Sequence, residues 1–301
     1  MLSRFLRENH IENEIIIFCD HDIEVSDADF VIVNDGGKTK YHRILALLRM
    51  ASYEQIVCID NDIKPNDREI LAFLLSCMSG DYIAGWGKIY SQLPQGILPR
   101  LIQVDKTLSH EMIRPFLWKM GVGISMPGQV FMIHRDELKK RLPKVHTSFD
   151  DLQIGLVIKK SGFPINYTDS VLGWEKPKET WRGIIQQRIR WARGYSQTIL
   201  NNRGDIYSLG LILLHGFFYH GLLVGFWILF LFLCIGYQSL WYSSVLLFAV
   251  LIALSRKRIS QVSASVVYLL IFPLLHVIWL IFVCLNVLRY FLTIQQPISK
   301  E

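Results

Sequence analysis

The stretch Gln55–Asp62, which reads Gln-Ile-Val-Cys-Ile-Asp-Asn-Asp, is a short β-rich apolar run that ends in two aspartates. Similar runs occur earlier, at Glu14–Asp20 and Asp29–Val33, and helical spacing over Tyr41–Ser52 precedes the quoted stretch. Buried apolar strands that are separated by helices are typical of an α/β fold. We therefore predict a mostly parallel sheet with helices on both faces in the first half of the chain.

Acidic residues stand at the ends of these runs. The first run ends at Asp20, and the quoted stretch ends in Asp60 and Asp62. Because ligands of open α/β sheets bind beyond the carboxyl ends of the strands, these acids indicate a binding site. Two carboxylates two residues apart can converge on Mg²⁺ or Mn²⁺ while diphosphate oxygens complete the coordination shell. A solvated turn is the plainer interpretation of an isolated Asp-x-Asp triplet.

The second half of the chain is unusually apolar. Of the 301 residues, 51% are hydrophobic and only 19% are charged, which is too apolar for one ordinary soluble domain. No Asp, Glu, Lys or Arg occurs in residues 206–255 or 259–288. At roughly 20 residues per span, we predict a soluble domain over residues 1–205 and an all-α transmembrane region of about three helices over 206–301.

The charges indicate an orientation. Of the formal net charge of +6, the first 205 residues carry only +2, which argues against a nucleic-acid partner. Arg256–Arg258 lies between the two apolar tracts and, by the positive-inside rule, marks a cytoplasmic loop. The opposite turn, Gly236–Ser239, is uncharged. We therefore expect a multi-pass cell-membrane protein whose soluble domain is cytoplasmic.

A pair of carboxylates, Asp150 and Asp151, precedes a predicted helix over Asp151–Lys160. One of two adjacent carboxylates can act as a general base if its surroundings hold its pKa near the working pH. An N-cap role is the alternative, and Asp150 suits it better because it stands just before the helix. The two roles can coexist.

Gln187, Arg190 and Trp191 form a Gln-x-x-Arg-Trp motif within a helical region at the border of the apolar tract. Spacings of three and four residues put all three on one helical face. A guanidinium there can hold diphosphate oxygens, and an indole can stack against an acceptor sugar or a lipid headgroup. The alternative is an interfacial anchor in which Arg188 and Arg193 take part with Arg190 and Trp191.

In this order, the three motifs resemble those of the membrane-bound glycosyltransferase family 2 enzymes, which include cellulose, chitin and hyaluronan synthases, poly-N-acetylglucosamine synthases and ceramide glucosyltransferases. The resemblance covers about Glu14 to Asn201. It implies a GT-A-like, Rossmann-like domain that transfers a sugar from a UDP-sugar donor with inversion. It also implies that a metal-held diphosphate leaves.

The resemblance also assigns roles at the donor site. It implies metal and diphosphate binding by Asp60 and Asp62 and a general base at Asp151 with Asp150 beside it. Arg190 would bind the diphosphate.

Further donor contacts follow from the same resemblance. Either Lys38 or Lys40 would meet the nucleotide phosphates, and Asp20, or less favourably Asp22, would lie near the nucleotide base. On the acceptor side, the resemblance points to the loop residues Gly128 and Gln129, for which a simple turn is the alternative, and to Gln187 and Trp191.

The acceptor stays open between a polysaccharide, or another cell-envelope glycan, and a membrane lipid. A growing polysaccharide is favoured by the motif set, whereas the few predicted spans favour a lipid. Nothing before Glu14 resembles the first strand of the family, so a shortened variant or a truncated start is expected. That departure also keeps a non-catalytic membrane scaffold as a rival, and a partner membrane subunit or homo-oligomer stays open.

Three histidines lie within the apolar tracts: His215, His220 and His276. Ionisable groups in such tracts can mark pathways for substrates or protons. We expect hydrogen bonds between helices instead.

Overall fold

The computed structural model describes residues 2–19, 28–33, 39–92, 96–236, 242, 245 and 262–294. The chain divides into two compact units. The sheet unit comprises Met1–Gln92 and Leu117–Lys176, and the helical unit comprises Leu93–Phe116 and Pro177–Glu301. Several predicted features lie outside the described residues: Asp20, Asp22, Lys38, Arg256–Arg258 and all of the Gly236–Ser239 turn except Gly236.

The sheet unit contains seven strands among its described residues. They are β1 (Ile16–Cys19), β2 (Phe30–Val33), β3 (Gln55–Ile59), β4 (Ile63–Pro65), β5 (Ala84–Ser91), β6 (Val130–His134) and β7 (Ile165–Glu175). Its helices are α1 (Leu2–Glu8), α2 (Lys40–Met50), α3 (Asp67–Met78), α6 (Arg135–Arg141) and α7 (Asp150–Ser161), with the last part of α5 (Arg114–Lys119). The predicted strands over Glu14–Asp20, Asp29–Val33 and Gln55–Asp60 and the helix over Tyr41–Ser52 are thus confirmed.

The main sheet has five strands in the order β3-β6-β5-β7-β4. Only β5 and β7 pair in parallel, and the other three ladders are antiparallel. The predicted α/β class is therefore confirmed, but the predicted mostly parallel pairing is wrong for this sheet. A strand covered on both faces reads as a continuous apolar run in either direction, so the sequence pattern carried no information on polarity. Among the described residues, β1 and β2 pair in parallel only with each other.

Both faces of the main sheet are covered by helices, as predicted. Side chains of β6 alternate between two buried clusters, because successive residues of a strand point to opposite faces. Phe131 and Ile133 pack in one cluster with residues of α2, α6 and α7. Val130 and Met132 pack in the other with residues of α3.

The helical unit is built from long helices. They are α4 (Ile97–Thr107), a π-helical segment (Leu108–Ile113), the start of α5, α8 (Trp181–Asn201), α9 (Ile206–Gly216), a second π-helical segment (Phe217–Gly221), α10 (Leu222–Gly236) and α11 (Val262–Ile294). The side chains of Thr180 and Asp205 cap the starts of α8 and α9 by accepting hydrogen bonds from Gly183 N–H and Ser208 N–H. A buried apolar cluster joins α4, α8 and α11.

Among the described residues, two helical stretches are long and apolar enough to cross a membrane, Ile206–Leu229 and Ala264–Tyr290. The second lies in α11, which continues through Pro273 without a break. A single continuous helix thus occupies most of the tract 259–288. Most of the chain between these two stretches, including the expected middle span, lies outside the described residues.

The hydropathy of the sequence suggested a boundary after residue 205, but the two compact units are not divided there. Residues of α4 and α8 pack with those of α11, so the helical unit begins well before the uncharged tracts. The boundary of a catalytic domain at residue 205 stays a prediction, because packing alone does not define a domain by its function.

Candidate functional site

Lys40 gathers several of the predicted donor-site residues in the sheet unit. It is the first residue of α2, and its Nζ donates a hydrogen bond to Asp60 Oδ1 at 2.6 Å. The same ammonium donates to the carbonyl oxygen of Gly128 and lies 3.7 Å from Asp150 Oδ2. Three segments that are far apart in sequence therefore meet around one positive charge.

The turn that joins β3 to β4 carries the Asp-x-Asp triplet. The Asp60 N–H donates to the carbonyl of Gln129 at 2.9 Å, and the Asp60 carbonyl accepts from Ile63 N–H at 3.1 Å. These bonds fix the backbone at Asp60 against the loop before β6. The Asp62 side chain is exposed, so its carboxylate can reach a ligand that arrives from solvent.

The second carboxylate pair opens α7. The helix begins at Asp150, and Phe149 occupies the N-cap position without a side-chain cap bond. The N-cap role considered for Asp150 is therefore wrong, because Phe149 takes that position, and the Asp150 carboxylate lies 3.7 Å from the Lys40 ammonium. Asp151 Oδ1 accepts from the Leu152 N–H at 2.9 Å. A Cβ built on Gly128 would lie 3.3 Å from Asp151 Oδ2, so the glycine leaves the space beside this carboxylate open.

Gly155 sets the position of α7. A Cβ at this glycine would overlap the carbonyl oxygen of Ile124, in the loop that leads to Gly128. The helix and the loop can approach so closely only because no side chain stands between them. Gly162 ends the same helix in the left-handed conformation, with φ of +74°, which glycine adopts without a steric penalty.

Burial and charge act against each other around Lys40. Burial would lower the pKa of Lys40, but Asp150 and Asp60 outweigh it and hold the pKa above its ordinary value. The lysine thus stays an ammonium. Burial raises the pKa of Asp60, and the charge of Lys40 opposes that rise.

Glu175 was missed by the sequence analysis. It is the last residue of β7, and its Oε2 accepts a hydrogen bond from Gln129 Nε2 at 2.9 Å. Its register partner is Ile63 on β4, directly after the Asp-x-Asp turn. An acid at a strand end was the signal that could have found it, but this strand was not predicted.

The Gln-x-x-Arg-Trp residues lie on α8, in the helical unit. Arg190 is exposed, whereas Gln187 and Trp191 are half-buried. Arg188 is buried and bonds to Asp105, with 2.6 Å between Nη2 and Oδ2. The alternative in which Arg188 is an interfacial anchor is therefore wrong, because the side chain points into the protein.

One prediction about the apolar histidines is confirmed. His220 and His276 lie 2.8 Å apart through their Nδ1 atoms, which joins the second π-helical segment to α11. His220 also stacks on the Trp279 ring. A hydrogen bond between helices thus accounts for this pair.

The chemistry of the Asp-x-Asp turn fits a hard cation. Within the described ranges, no three His, Cys, Asp or Glu side chains are grouped as a protein-built metal site. Asp60 and Asp62 offer carboxylate oxygens from one turn. One or two carboxylates are the usual protein share for Mg²⁺ that is completed by substrate phosphates and water.

Comparison with known proteins identifies the family. The family model described as Glycosyl transferase family group 2 matches residues 55–292, which include Asp60, Asp151 and Arg190. The chain belongs to this family. This membership confirms the resemblance that was drawn from the motifs, and it identifies the chain as a glycosyltransferase.

A curated protein and a solved structure are among the proteins that are similar to this glycosyltransferase. A "Probable glycosyltransferase YdaM" of Bacillus subtilis (strain 168) is 23% identical over 159 residues, which are 51% of this chain and 38% of that protein. The match thus spans well under half of the relative's length. A solved structure, "Mannosyltransferase PcManGT from Pyrobaculum calidifontis in complex with GDP-Man and Mn2+", is 14% identical with a TM-score of 0.45, over 91% of this chain and 77% of that one.

Proposed function

We propose that this glycosyltransferase moves one sugar from a nucleotide-sugar donor to a glycan acceptor, with inversion at the anomeric carbon. The observation that carries the proposal is the convergence of Asp60, Gly128 and Asp150 on the Lys40 ammonium, with Asp151 beside Gly128. The family resemblance implies diphosphate binding at Asp60 and a general base at Asp151, and this convergence supports both assignments. A UDP-sugar is the proposed donor.

The proposed donor site is the Asp-x-Asp turn with Lys40. Asp60 and Asp62 would hold Mg²⁺ or Mn²⁺, which supplies positive charge to the leaving diphosphate. The Lys40 ammonium is paired with Asp60, and beside the metal ion it would be a second positive group for the phosphate oxygens. Arg190, which is exposed on α8, is proposed as a further diphosphate ligand.

The proposed reaction is a direct displacement with Asp151 as general base. Its carboxylate takes the proton of an acceptor hydroxyl as that oxygen bonds to the anomeric carbon. The bond from the anomeric carbon to the diphosphate oxygen breaks, and the nucleoside diphosphate leaves with the electron pair. Attack opposite the leaving group inverts the configuration.

The proposed acceptor is a polysaccharide or another cell-envelope glycan, held by Gly128, Gln129, Gln187 and Trp191. The Gln129 amide is fixed by Glu175, which orients one polar side chain next to the Asp-x-Asp turn. We also propose that the helical unit places the protein in the cell membrane, crossing it more than once, with the sheet unit in the cytoplasm. A lipid acceptor is the second candidate, because two stretches of this unit are apolar enough to meet lipid.

The proposal is tested with the full chain purified in detergent. Radiolabelled UDP-sugars and GDP-sugars are offered with a set of oligosaccharides and membrane lipids, in Mn²⁺, in Mg²⁺ and in excess chelator. We expect metal-dependent transfer from at least one UDP-sugar, and no transfer by Asp62→Asn, which keeps the shape of the turn. Transfer that survives both the chelator and Asp62→Asn would overturn the metal assignment, and transfer of no sugar would leave the scaffold alternative standing.

A further inference from the structure

Arg188 is an unusual residue, because it is buried although it sits between motif positions that are partly or fully exposed. Its side chain is only 6% exposed. Arginine is rarely buried to this degree unless its charge is paired, since an unpaired buried charge is costly. Its partners should therefore explain why α8 directs it inward.

Asp105 on α4 supplies the pairing charge. Its Oδ2 accepts from Arg188 Nη2 at 2.6 Å, and its Oδ1 accepts from the Tyr268 hydroxyl of α11 at 2.8 Å. Burial would raise the pKa of Asp105, but Arg188 and the bond from Tyr268 are among the groups that hold it below the ordinary value. The carboxylate is thus ionised and held at both oxygens, and it ties three helices together.

The Arg188 guanidinium, held by Asp105, also contacts the ring of Trp191. The guanidinium carbon lies 4.7 Å from the centroid of the Trp191 ring and 5.9 Å from that of Phe272. Trp191 follows Arg188 by three residues on α8, so the two side chains are neighbours on one helical face. One face of the indole is therefore occupied by a cation whose own position is fixed.

We propose that Asp105, acting through Arg188, is a positioning residue that fixes the plane of the Trp191 indole for acceptor binding. The inference rests on the proposed function only where it names the acceptor. It gives different roles to Arg190, which belongs to the motif, and to Arg188, which lies between motif positions. Arg188 is a support beneath the indole, whereas the exposed Arg190 is free to meet a ligand that approaches from solvent.

The first test reads the indole directly and does not depend on activity. The full chain is labelled with fluorotryptophan in detergent, and the Trp191 resonance is assigned with Trp191→Phe. We expect Asp105→Asn and Arg188→Lys to shift or broaden this resonance while those of distant tryptophans stay in place. The exposed Arg193→Lys, on the same helix, is the matched control and should change nothing. An unchanged Trp191 signal in Asp105→Asn overturns the proposal.

The second test is a double-mutant cycle on the acceptor that wild type uses. We expect Asp105→Asn to raise the acceptor KM by about tenfold and to leave the donor KM within about twofold. In the Trp191→Phe background, Asp105→Asn should have little further effect on the acceptor KM. Independent effects that multiply, or equal rises of both KM values, overturn the proposal because they indicate general loosening of the fold.

If Asp105→Asn does not fold, Tyr268→Phe removes a single hydroxyl from the same carboxylate and is read in both tests. It should shift the Trp191 signal in the same direction by a smaller amount. A wild-type protein that transfers no sugar would refute the proposed function, whereas the fluorine signal still decides the positioning role.

Discussion

Two ion pairs of equal length, one in each unit, differ in what surrounds them. Lys40 and Asp60 in the sheet unit are 2.6 Å apart, and each side chain is 34% exposed. Arg188 and Asp105 in the helical unit are also 2.6 Å apart, but their side chains are only 6% and 21% exposed. Water can replace the partner when the first pair opens, whereas opening the second leaves a charge in an apolar bundle. The first pair suits a site that must exchange partners, and the second suits a fixed support.

The largest effect is expected for Asp151→Asn, which attacks the chemistry of the sheet unit. An amide cannot accept the proton of the acceptor hydroxyl, so turnover should fall by about 10²–10⁴-fold while donor binding persists. Initial rates and nucleotide titrations on the same preparation measure the two quantities. Asp150→Asn is the matched control, because that carboxylate faces Lys40 and should matter less to turnover. The reverse ranking of the two variants would reassign the base.

The next effect compares the ion pairs themselves by removing one cation from each. Arg188→Leu strands the Asp105 charge and should lower the free energy of unfolding by about 3–5 kcal/mol. Lys40→Met breaks the more exposed pair, whose side chains are each 34% exposed, and should lower the free energy of unfolding by only about 1 kcal/mol. Denaturant unfolding of both variants in one detergent measures the difference. Similar losses would show that exposure does not separate the two pairs.

A smaller effect is expected where glycines permit close packing in the two units. A methyl group at Gly155 meets the backbone carbonyl of Ile124, whereas one at Gly216 meets the hydroxyl end of the Tyr195 side chain. Backbone yields less than a side-chain tip, so Gly155→Ala should cost about 1–3 kcal/mol of stability and Gly216→Ala clearly less. Thermal unfolding of both variants tests this order, and a larger loss for Gly216→Ala would contradict it.

The smallest effect is expected for Gln129→Ala. It removes the bond to Glu175 but keeps the backbone carbonyl that accepts from Asp60, so stability should fall by only about 0.5–1.5 kcal/mol. If the proposed acceptor role is correct, the acceptor KM rises and the donor KM does not. Steady-state kinetics with each substrate varied in turn separates these outcomes, and a rise confined to the donor KM would move Gln129 to the donor side.

Sequence patterns located some elements of the sheet unit but not their pairing. The runs that became β1, β2 and β3 were visible, because buried strands are apolar regardless of their neighbours. Strand direction depends on connections that the pattern does not encode, so the antiparallel ladders of β6 were not foreseen. The strand β7 escaped because its residues do not form an uninterrupted apolar run, and Glu175 was missed with it.

In the candidate site too, the sequence indicated individual residues but not their contacts. The motifs identified Asp60 and the pair Asp150 and Asp151, and the resemblance offered Lys38 or Lys40 without choosing between them. That choice depends on where the start of α2 comes to lie, and the structure describes Lys40 at Asp60. The partner of Arg188 could not be found at all, because Asp105 is 83 residues away in a segment that no motif marks.

The close contact at Gly155 makes this position suitable for a temperature-sensitive substitution in living cells. Gly155→Ala alters no charged or polar group of the candidate site. It lowers stability through the steric clash of the added methyl group with the Ile124 carbonyl. A loss of stability of this size lowers the melting temperature by several degrees. A strain carrying the substitution should therefore keep the enzyme active in cool culture and lose it on warming. Such a conditional allele would let the cellular product of the enzyme be identified by a change of temperature alone.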